Sequence, residues 1–287
     1  MRGWWQDLTD LVLLAECGGC GASRTVLCPE CRAALHGSAP RRVRPVPEPP
    51  GMPPVHAAAP YADEVRATLL AHKERGALAL AGPLGEALAA AVRAGLRDDR
   101  RARAGAEGSA VAGGRPAGVP VLLVPVPSAR RAVRARGHDP VRRIALAAAG
   151  ELRRTGTPAR VAAVLRQRRE VADQSGLNSR ERLVNLAGAL EVTAGGARLL
   201  AGGRVVLVDD LITTGATLTE AARALREADP RGGGAGGVND SGATAVYEAA
   251  AREVRGEQPT AGSRTERGRY RAAVVAAPPD SFEMNRN

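Results

Sequence analysis

The chain contains few aromatic residues and no long apolar run. Aromatic side chains make up 2% of its 287 residues, so the core must be built from Leu, Val and Ala. No apolar run approaches the length of a membrane span. The N-terminal run Leu11–Leu14 has acidic neighbours and no small-residue cleavage site after it, which argues against a signal peptide. We therefore expect a cytoplasmic protein.

Two common nucleotide-binding motifs are also missing. No G-x-x-x-x-G-K-[ST] occurs, which excludes a P-loop, and no G-x-G-x-x-G follows a predicted strand, which argues against a dinucleotide fold. Lysine is nearly absent, since Lys73 is the only one, yet arginines bring the net charge to +11. This balance favours anionic partners; a solvated, arginine-rich surface is the alternative.

The most informative segment begins at the strand candidate Val205–Val208, which is apolar and mostly β-branched. Asp209 and Asp210 follow it, and a loop of Thr and Gly then leads into the predicted helix Leu218–Ala228. Amides at a helix N-terminus and Thr hydroxyls can hold a phosphate, and adjacent carboxylates can accept hydrogen bonds from vicinal ribose hydroxyls. The segment predicts a phosphosugar site; a buried strand with a polar turn and helix cap is the alternative.

All four cysteines lie in one window with the pattern C-x2-C-x7-C-x2-C. Each pair has the spacing of a zinc knuckle, and four thiolates complete a tetrahedral site with no open position. Two disulfides or a redox C-x-x-C are the alternatives, and a chain without an export signal disfavours disulfides. We predict a structural zinc site formed by Cys17, Cys20, Cys28 and Cys31.

Two further strand candidates lead into polar segments. Val121–Val124 runs into a proline turn and a basic loop typical of an anion site, with an ordinary strand-to-helix turn as the alternative. Val161–Leu165 runs into a long polar segment that fits a lid over a charged ligand, with a disordered loop as the alternative. Ala272–Ala277 is the last strand candidate.

Composition divides the chain into three parts. Residues 1–36 hold an N-terminal helix and the cysteine module, and residues 37–57, rich in Pro and Arg, indicate a linker. Residues 58–287 form the main domain. Within it, residues 97–118 and 232–268 are charged or of low complexity and predict disordered insertions.

In their order along the chain, these segments resemble the ComF/GntX family of phosphoribosyltransferase-like competence proteins, within the type I phosphoribosyltransferase superfamily. The resemblance includes the four cysteines, Lys73, the Arg136-Gly137 turn and the Asp209–Thr217 motif. A further part of it is the trio Gln174, Arg180 and Asn185. The chain departs from the family after Arg136-Gly137, where His138-Asp139-Pro140 replaces an aromatic residue and Asn-Gln.

The resemblance implies a parallel α/β sheet flanked by helices, with a flexible hood and the small cysteine module. It implies that phosphoribosyl pyrophosphate (PRPP) binds together with Mg²⁺, while Zn²⁺ is structural. Asp209 and Asp210 would be the catalytic carboxylates on the ribose hydroxyls. The 5′-phosphate would lie among Thr213, Thr214, Gly215, Ala216 and Thr217. The pyrophosphate loop would contain Ser128, Arg130, Arg131, Arg136 and Gly137, and the hood Gln174, Arg180 and Asn185.

The same resemblance implies a role in DNA uptake and competence or in nucleotide metabolism. Single-stranded DNA and DNA-uptake proteins would then be partners, and a phosphoribosyltransferase reaction would be the activity. Turnover is left open, because no acceptor pocket is recognisable in the sequence. The alternative is a non-catalytic module that handles single-stranded DNA or regulates in response to PRPP.

Overall fold

The computed structural model describes residues 16–106, 118–169, 179–229 and 270–283. They form a mixed α/β fold with a mostly parallel sheet flanked by helices, which confirms the expected fold class. The predicted N-terminal helix, the predicted insertion at 232–268 and Gln174 lie outside the described residues. No helix of the described part is long and apolar enough to cross a membrane.

The main sheet has six strands in the order β1-β2-β8-β7-β3-β4, and only the edge pair β1–β2 is antiparallel. These strands are β1 Arg41–Val43, β2 Val55–Pro60, β3 Val121–Pro125, β4 Ala159–Val161, β7 Arg204–Leu211 and β8 Arg271–Ala277. A separate antiparallel pair consists of β5 Leu165–Gln167 and β6 Leu190–Val192. The carboxyl ends of β2, β8, β7 and β3 therefore meet at one edge of the main sheet.

Helices cover both faces of the sheet. They are α1 Pro29–His36, α2 Asp63–Glu74, α3 Ala81–Ala106, α4 Arg130–Arg136, α5 Pro140–Arg154, α6 Ser179–Leu186, α7 Gly196–Leu200, α8 Ala216–Glu227 and α9 Asp280–Glu283, with a 3-10 turn at Leu78–Leu80. In β7, Val206 and Val208 belong to the core beneath α2, α3 and α5, whereas Leu207 belongs to the core beneath α8. Burial of both faces explains why the central strands are continuously apolar.

The structure differs from the sequence expectations in three places. Residues 37–57, expected to be a linker, contain β1 and the start of β2, which is buried against β8. The expected insertion at 97–118 begins as a continuation of α3, whose residues up to Ala106 are helical. The strand expected at Val161–Leu165 is divided between two sheets, since Val161 ends β4 and Leu165 begins β5. The pairing with β3 ends where Ala162 N donates to Leu123 O, and the chain then leaves the main sheet.

The cysteine module is packed onto the main domain. Cys17, Cys28 and Cys31 lie in the same buried cluster as Leu80 and the leucines of α3. A Cβ added at Gly18 would lie 2.5 Å from Leu80 Cδ1, so only glycine allows this backbone to approach the leucine so closely. The cysteine module and the sheet are therefore parts of one continuous core.

The contact between α3 and α5 provides a test of core packing. A Cβ added at Gly85 would lie 2.5 Å from Ala147 Cβ and 2.8 Å from Ala148 N. We expect Gly85→Ala to lower the free energy of unfolding by about 1–3 kcal/mol, because two helix backbones must separate. Gly82→Ala is the matched control in the same helix, since its Cβ would meet nothing within 4 Å. Urea unfolding should show no destabilisation for this control, and equal losses in both variants would contradict the prediction.

Candidate functional site

Strand β7 carries two acidic side chains to the carboxyl edge of the sheet. Asp209 and Asp210 follow three buried residues of the strand, and their backbone continues the ladder with β8, where Asp209 lies opposite Val274. Asp210 is buried, and its Oδ2 accepts a hydrogen bond from Lys73 Nζ at 3.0 Å. Asp209 Oδ1 accepts from the backbone N–H of Asp210 at 2.9 Å. The structure thus brings together both predicted carboxylates and the only lysine of the chain.

Lys73, Asp209 and Asp210 lie close enough together for their charges to influence one another. Burial raises the pKa of Asp209 well above its ordinary value, and the negative charge of Asp210 raises it further, against the opposing effect of Lys73. Asp210 in turn raises the pKa of Lys73, with a smaller contribution from Asp209. One ammonium therefore faces two carboxylates. Such a site can accept hydrogen bonds from hydroxyl groups or bind a cation.

Lys73 lies in the last turn of α2. The next residue, Glu74, accepts two hydrogen bonds from Arg136, at 3.1 Å from Nε and 2.9 Å from Nη2. The positive charge of Arg136 acts to lower the pKa of Lys73, so the two cations are near neighbours. In this structure Arg136 is thus tied to α2 by Glu74, a partner that the sequence did not reveal.

The predicted phosphate loop connects β7 to α8. Thr213 is exposed and Thr214 half-buried, and Gly215 caps the helix with φ of 76°. Thr219 Oγ1 donates to Gly215 O at 2.9 Å and fixes the first turn. Ala216 and Thr217 begin the 12-residue helix, so its N-terminal amides follow directly after the threonines, and Ala216 N donates to Thr214 Oγ1 at 3.5 Å.

Gly215 is covered by the proline-rich segment that precedes β2. A Cβ at this position would lie 2.5 Å from Met52 Sδ and 3.3 Å from Pro45 Cγ. Arg226 Nη1 of α8 also donates to Gly51 O at 3.3 Å. The glycine is therefore required for packing as well as for its left-handed conformation. The supposed linker is a support of the phosphate loop.

The basic segment after β3 contains a short helix. Arg130 and Arg131 are exposed at the start of α4, and Arg130 Nη2 lies 3.5 Å from the Gln167 carbonyl oxygen of β5. Gly137 ends α4 with φ of 74°. Ser128 Oγ donates to Asp139 Oδ1 at 3.4 Å. The predicted anion-binding residues thus surround one turn at the carboxyl edge.

The departure His138-Asp139-Pro140 has a structural role. Asp139 Oδ1 accepts from Arg142 N at 3.1 Å and caps α5, and Pro140 occupies its first position, where the missing N–H costs nothing. His138 packs edge-on against His72 of α2, with ring centroids 5.9 Å apart. These residues start α5 and hold it against α2.

The hood residues are only partly described. Asn185 lies in α6, where its carbonyl oxygen accepts from Arg169 Nη2 at 2.7 Å. Arg180 lies in the same helix, but its side chain, like all of Gln174, is outside the described residues. Leu186 and Ala189 form a small cluster with Ala216 of the phosphate loop. The segment containing α6 is therefore packed against the beginning of α8.

A second anchor of the hood was missed by the sequence analysis. Glu220 Oε1 of α8 accepts from Leu190 N of β6 at 2.9 Å, and Arg223 Nη2 donates to Leu190 O at the same distance. Glu220 and Arg223 are themselves paired at 2.8 Å, which raises the pKa of the arginine. In the sequence, the only indication of this pair was that Glu220 and Arg223 lie three residues apart on a predicted helix.

The four cysteine sulfur atoms form a cluster. Their Sγ atoms all lie within 4.8 Å of one another, and Cys20 Sγ is 3.6 Å from Cys28 Sγ. Zn–S bonds of about 2.3 Å in a tetrahedron place sulfurs nearly 4 Å apart, whereas a disulfide requires about 2 Å. All four cysteines are free, so the geometry fits a metal site better than paired disulfides.

The backbone around the cluster favours the thiolate form of Cys17. Burial acts to raise the pKa of Cys17, but hydrogen bonds from the backbone amides of Cys28, Cys20 and Gly19 outweigh it and lower the pKa to about 6. A Cβ at Gly19 would lie 2.5 Å from Cys31 Sγ, so glycine lets the backbone approach that sulfur. These cysteines could hold one metal ion, consistent with structural zinc.

Residues 159–236 match the family model of the phosphoribosyl transferase domain. The chain contains a phosphoribosyltransferase-like domain. The matched region covers about a quarter of the chain and includes the hood anchors, both carboxylates of β7 and the phosphate loop. No curated protein and no solved structure matches the chain. The match supports a likeness to the type I phosphoribosyltransferase superfamily over this part of the chain.

Metal content tests the cysteine cluster. We expect about one zinc ion per chain in protein purified without added metal, measured by elemental analysis. Cys20→Ser should lower the zinc content and the melting temperature, because the remaining thiolates cannot complete a tetrahedron. Cys20 is exposed, so the change leaves core packing intact. A metal-free protein with four titratable thiols and an unchanged melting temperature would refute the metal site.

The raised pKa of Asp209 predicts a pH-dependent cost to stability. A carboxyl whose pKa is higher in the folded than in the unfolded state binds more protons when folded. Its contribution to stability is therefore lost as pH rises from the unfolded towards the folded pKa. We expect Asp209→Asn, which keeps the oxygen acceptor for Asp210 N, to be more stable relative to wild type at pH 8 than at pH 4. Urea unfolding of both proteins across this range measures the difference, and a constant difference would disprove it.

Proposed function

We propose that the protein binds PRPP, or a closely related phosphosugar, at the carboxyl edge of its sheet. The observation that carries the proposal is the placement of Asp209, Asp210 and Lys73 immediately before the phosphate loop of α8. Carboxylates fixed by a central strand, followed by threonines and the amides of a helix N-terminus, provide acceptors for ribose hydroxyls and donors for a phosphate. The phosphoribosyl transferase match to this region supports the same ligand.

Each part of the site has a separate role in this proposal. Asp209 and Asp210 accept hydrogen bonds from the 2′- and 3′-hydroxyls of ribose. Thr213, Thr214 and the amides of Gly215, Ala216 and Thr217 hold the 5′-phosphate. Ser128, Arg130 and Arg131 of the basic turn, together with Lys73, face the diphosphate. Since Arg136 is paired with Glu74, it acts mainly by positioning this turn against α2.

The carboxylates also fit a magnesium ion. Asp209 and Asp210 supply hard oxygen ligands of the kind that Mg²⁺ prefers, at a site where one ammonium faces two carboxyl groups. Bound with PRPP, Mg²⁺ would neutralise charge on the diphosphate and the ribose oxygens. Lys73 already partly neutralises the carboxylates in its absence, which limits the cost of keeping two buried acids side by side.

A transferase reaction at this site is displacement at the anomeric carbon of ribose. The bond from C1 to the diphosphate oxygen breaks, and diphosphate leaves with the electron pair. A nitrogen nucleophile forms the new C1–N bond and loses its proton to solvent or a base. The carboxylates of β7 hold the ribose in position rather than move this proton, and the basic turn stabilises the leaving charge.

The resemblance to competence proteins extends the proposal to DNA uptake or nucleotide metabolism. A protein of this kind handles single-stranded DNA and works with DNA-uptake proteins. The net charge of +11 supports an anionic partner. The alternative is a non-catalytic module that binds DNA or responds to PRPP. DNA binding through the basic surface should weaken steeply with salt, whereas a PRPP-responsive regulator should bind PRPP without releasing diphosphate.

PRPP affinity tests the site directly. Asp209→Asn and Asp210→Asn each remove a charged acceptor worth about 1.5–3 kcal/mol. We therefore expect about tenfold to hundredfold weaker PRPP binding in calorimetry with Mg²⁺. Asp98→Asn is the matched control, since Asp98 bonds His56 near the opposite edge of the sheet. It should bind PRPP as wild type does.

Two outcomes would contradict the proposal. Wild-type protein that binds no PRPP would exclude the ligand, and folded Asp209→Asn and Asp210→Asn variants with unchanged affinity would exclude the site. Diphosphate release, measured with a panel of nucleobases, then separates a transferase from a binding protein. Turnover that Asp98→Asn retains and Asp210→Asn loses would establish catalysis at β7.

A further inference from the structure

A second group of charged side chains lies at the amino ends of the parallel strands, opposite the end of the sheet that carries Asp209 and Asp210. A cavity of about 280 Å³ opens beside Val121 and Arg204, the first residues of β3 and β7. Asp210 is six residues further along β7, so about 20 Å of strand separates the two sites. The volume is near the lower end of ligand pockets, which span roughly 300–1,000 Å³. None of the groups in the proposed PRPP site lines it.

Four arginines line this cavity, which we name the arginine pocket: Arg93, Arg97, Arg100 and Arg204. The first three follow the spacing i, i+4, i+7 on α3 and therefore share one face of the helix. Among the residues that the structure describes, no Asp or Glu lines the pocket. On an ordinary charged surface, acidic and basic side chains are mixed. A group of arginines without acidic neighbours therefore indicates a site for an anion.

Asp98 and Asp99, which lie between these arginines in sequence, pair with residues outside the pocket. Asp98 Oδ2 lies 2.8 Å from Nε2 of the buried His56, and Asp99 forms an ion pair with Arg271 of β8. Both carboxylates thus have partners on the sheet. They do not compensate the guanidinium groups of Arg97 and Arg100, although they are their neighbours in sequence.

Most of the positive charge in the pocket lacks a partner. Arg93 donates to Thr155 Oγ1 at 2.9 Å and lies 4.0 Å from Glu151, which is also bound to Arg154. The side chains of Arg97, Arg100 and Arg204 form no hydrogen bond or ion pair within the part of the chain that the structure describes. Elsewhere many arginines are paired, as Arg136 is with Glu74 and Arg166 with Glu191.

We propose that the arginine pocket binds a small polyphosphate, such as inorganic triphosphate or the triphosphate group of a nucleotide. Three guanidinium groups without a partner among the described residues, and a fourth that is partly compensated, match a ligand with three to four negative charges. Guanidinium groups bind phosphate oxygens bidentately, which gives such a pocket geometric as well as charge selectivity. This inference rests on different residues from the PRPP site and stands without it.

Calorimetry with sodium triphosphate tests the arginine pocket in the full-length protein. Arg97→Gln/Arg100→Gln should weaken triphosphate binding at least about tenfold, because two charged contacts are lost. Arg101→Gln is the matched control: Arg101 is exposed on the same helix but does not line the pocket. It should leave the affinity within about twofold. Arg204→Gln, on another element, should reproduce the loss, and thermal melts verify that all variants are folded.

Several results would overturn the arginine pocket. Equal losses for Arg101→Gln and Arg100→Gln would show general attraction to a basic surface. Triphosphate binding that survives Arg97→Gln/Arg100→Gln, or that disappears in Asp209→Asn/Asp210→Asn, would place the anion elsewhere. An oligothymidylate that binds through these arginines when triphosphate does not would identify a nucleic-acid surface instead. Failure of PRPP binding in wild type would contradict only the proposed function.

Discussion

The ion pair between Lys73 and Asp210 joins the two halves of the site, and helix α2 is the element that makes it possible. Lys73 projects from the last turn of α2 to the end of β7, a separation of 137 residues in sequence. The next residue, Glu74, holds Arg136 of the basic segment, and His72 contacts the start of α5. One helical turn therefore connects the carboxylates, the basic turn and the helix that follows it. A shift of α2 would disturb all three together.

The same helix also contacts the cysteine module. Arg75, directly after α2, donates from Nη2 to Gly18 O at 3.3 Å. A Cβ at Gly19 would come within 3.3 Å of Thr68 Oγ1, which is itself bonded to Glu64 O. The cluster that could hold a metal is thus one support of α2, and the sheet is the other. Since aromatic residues make up only 2% of the chain, a metal ion held by these cysteines would supply order that aromatic packing provides in other proteins.

The sequence predicted the parts of the protein whose signal is local. β3, β7 and β8 are continuous apolar runs, and the cysteine spacing and the Asp209–Thr217 motif are each contained in a short segment. Strand β2 was missed because its Ala-rich sequence has low strand propensity, and only burial against β8 makes it a strand. The Lys73–Asp210 and Glu74–Arg136 pairs join distant segments, so no pattern in one sequence could reveal them.

Strand β7 carries acidic side chains at its carboxyl end and an arginine at its amino end, which correspond to the different ligands proposed for the two ends. Burial on both faces makes the middle of the strand apolar, so polar groups can project only where it enters and leaves the sheet. At its carboxyl end, Asp209 remains with a raised pKa although burial opposes its charge, which is typical of a group kept for binding rather than stability. At its amino end, Arg204 joins three arginines of α3. A single strand thereby carries groups of opposite charge at its two ends, about 20 Å apart, because only its ends leave the apolar interior of the sheet.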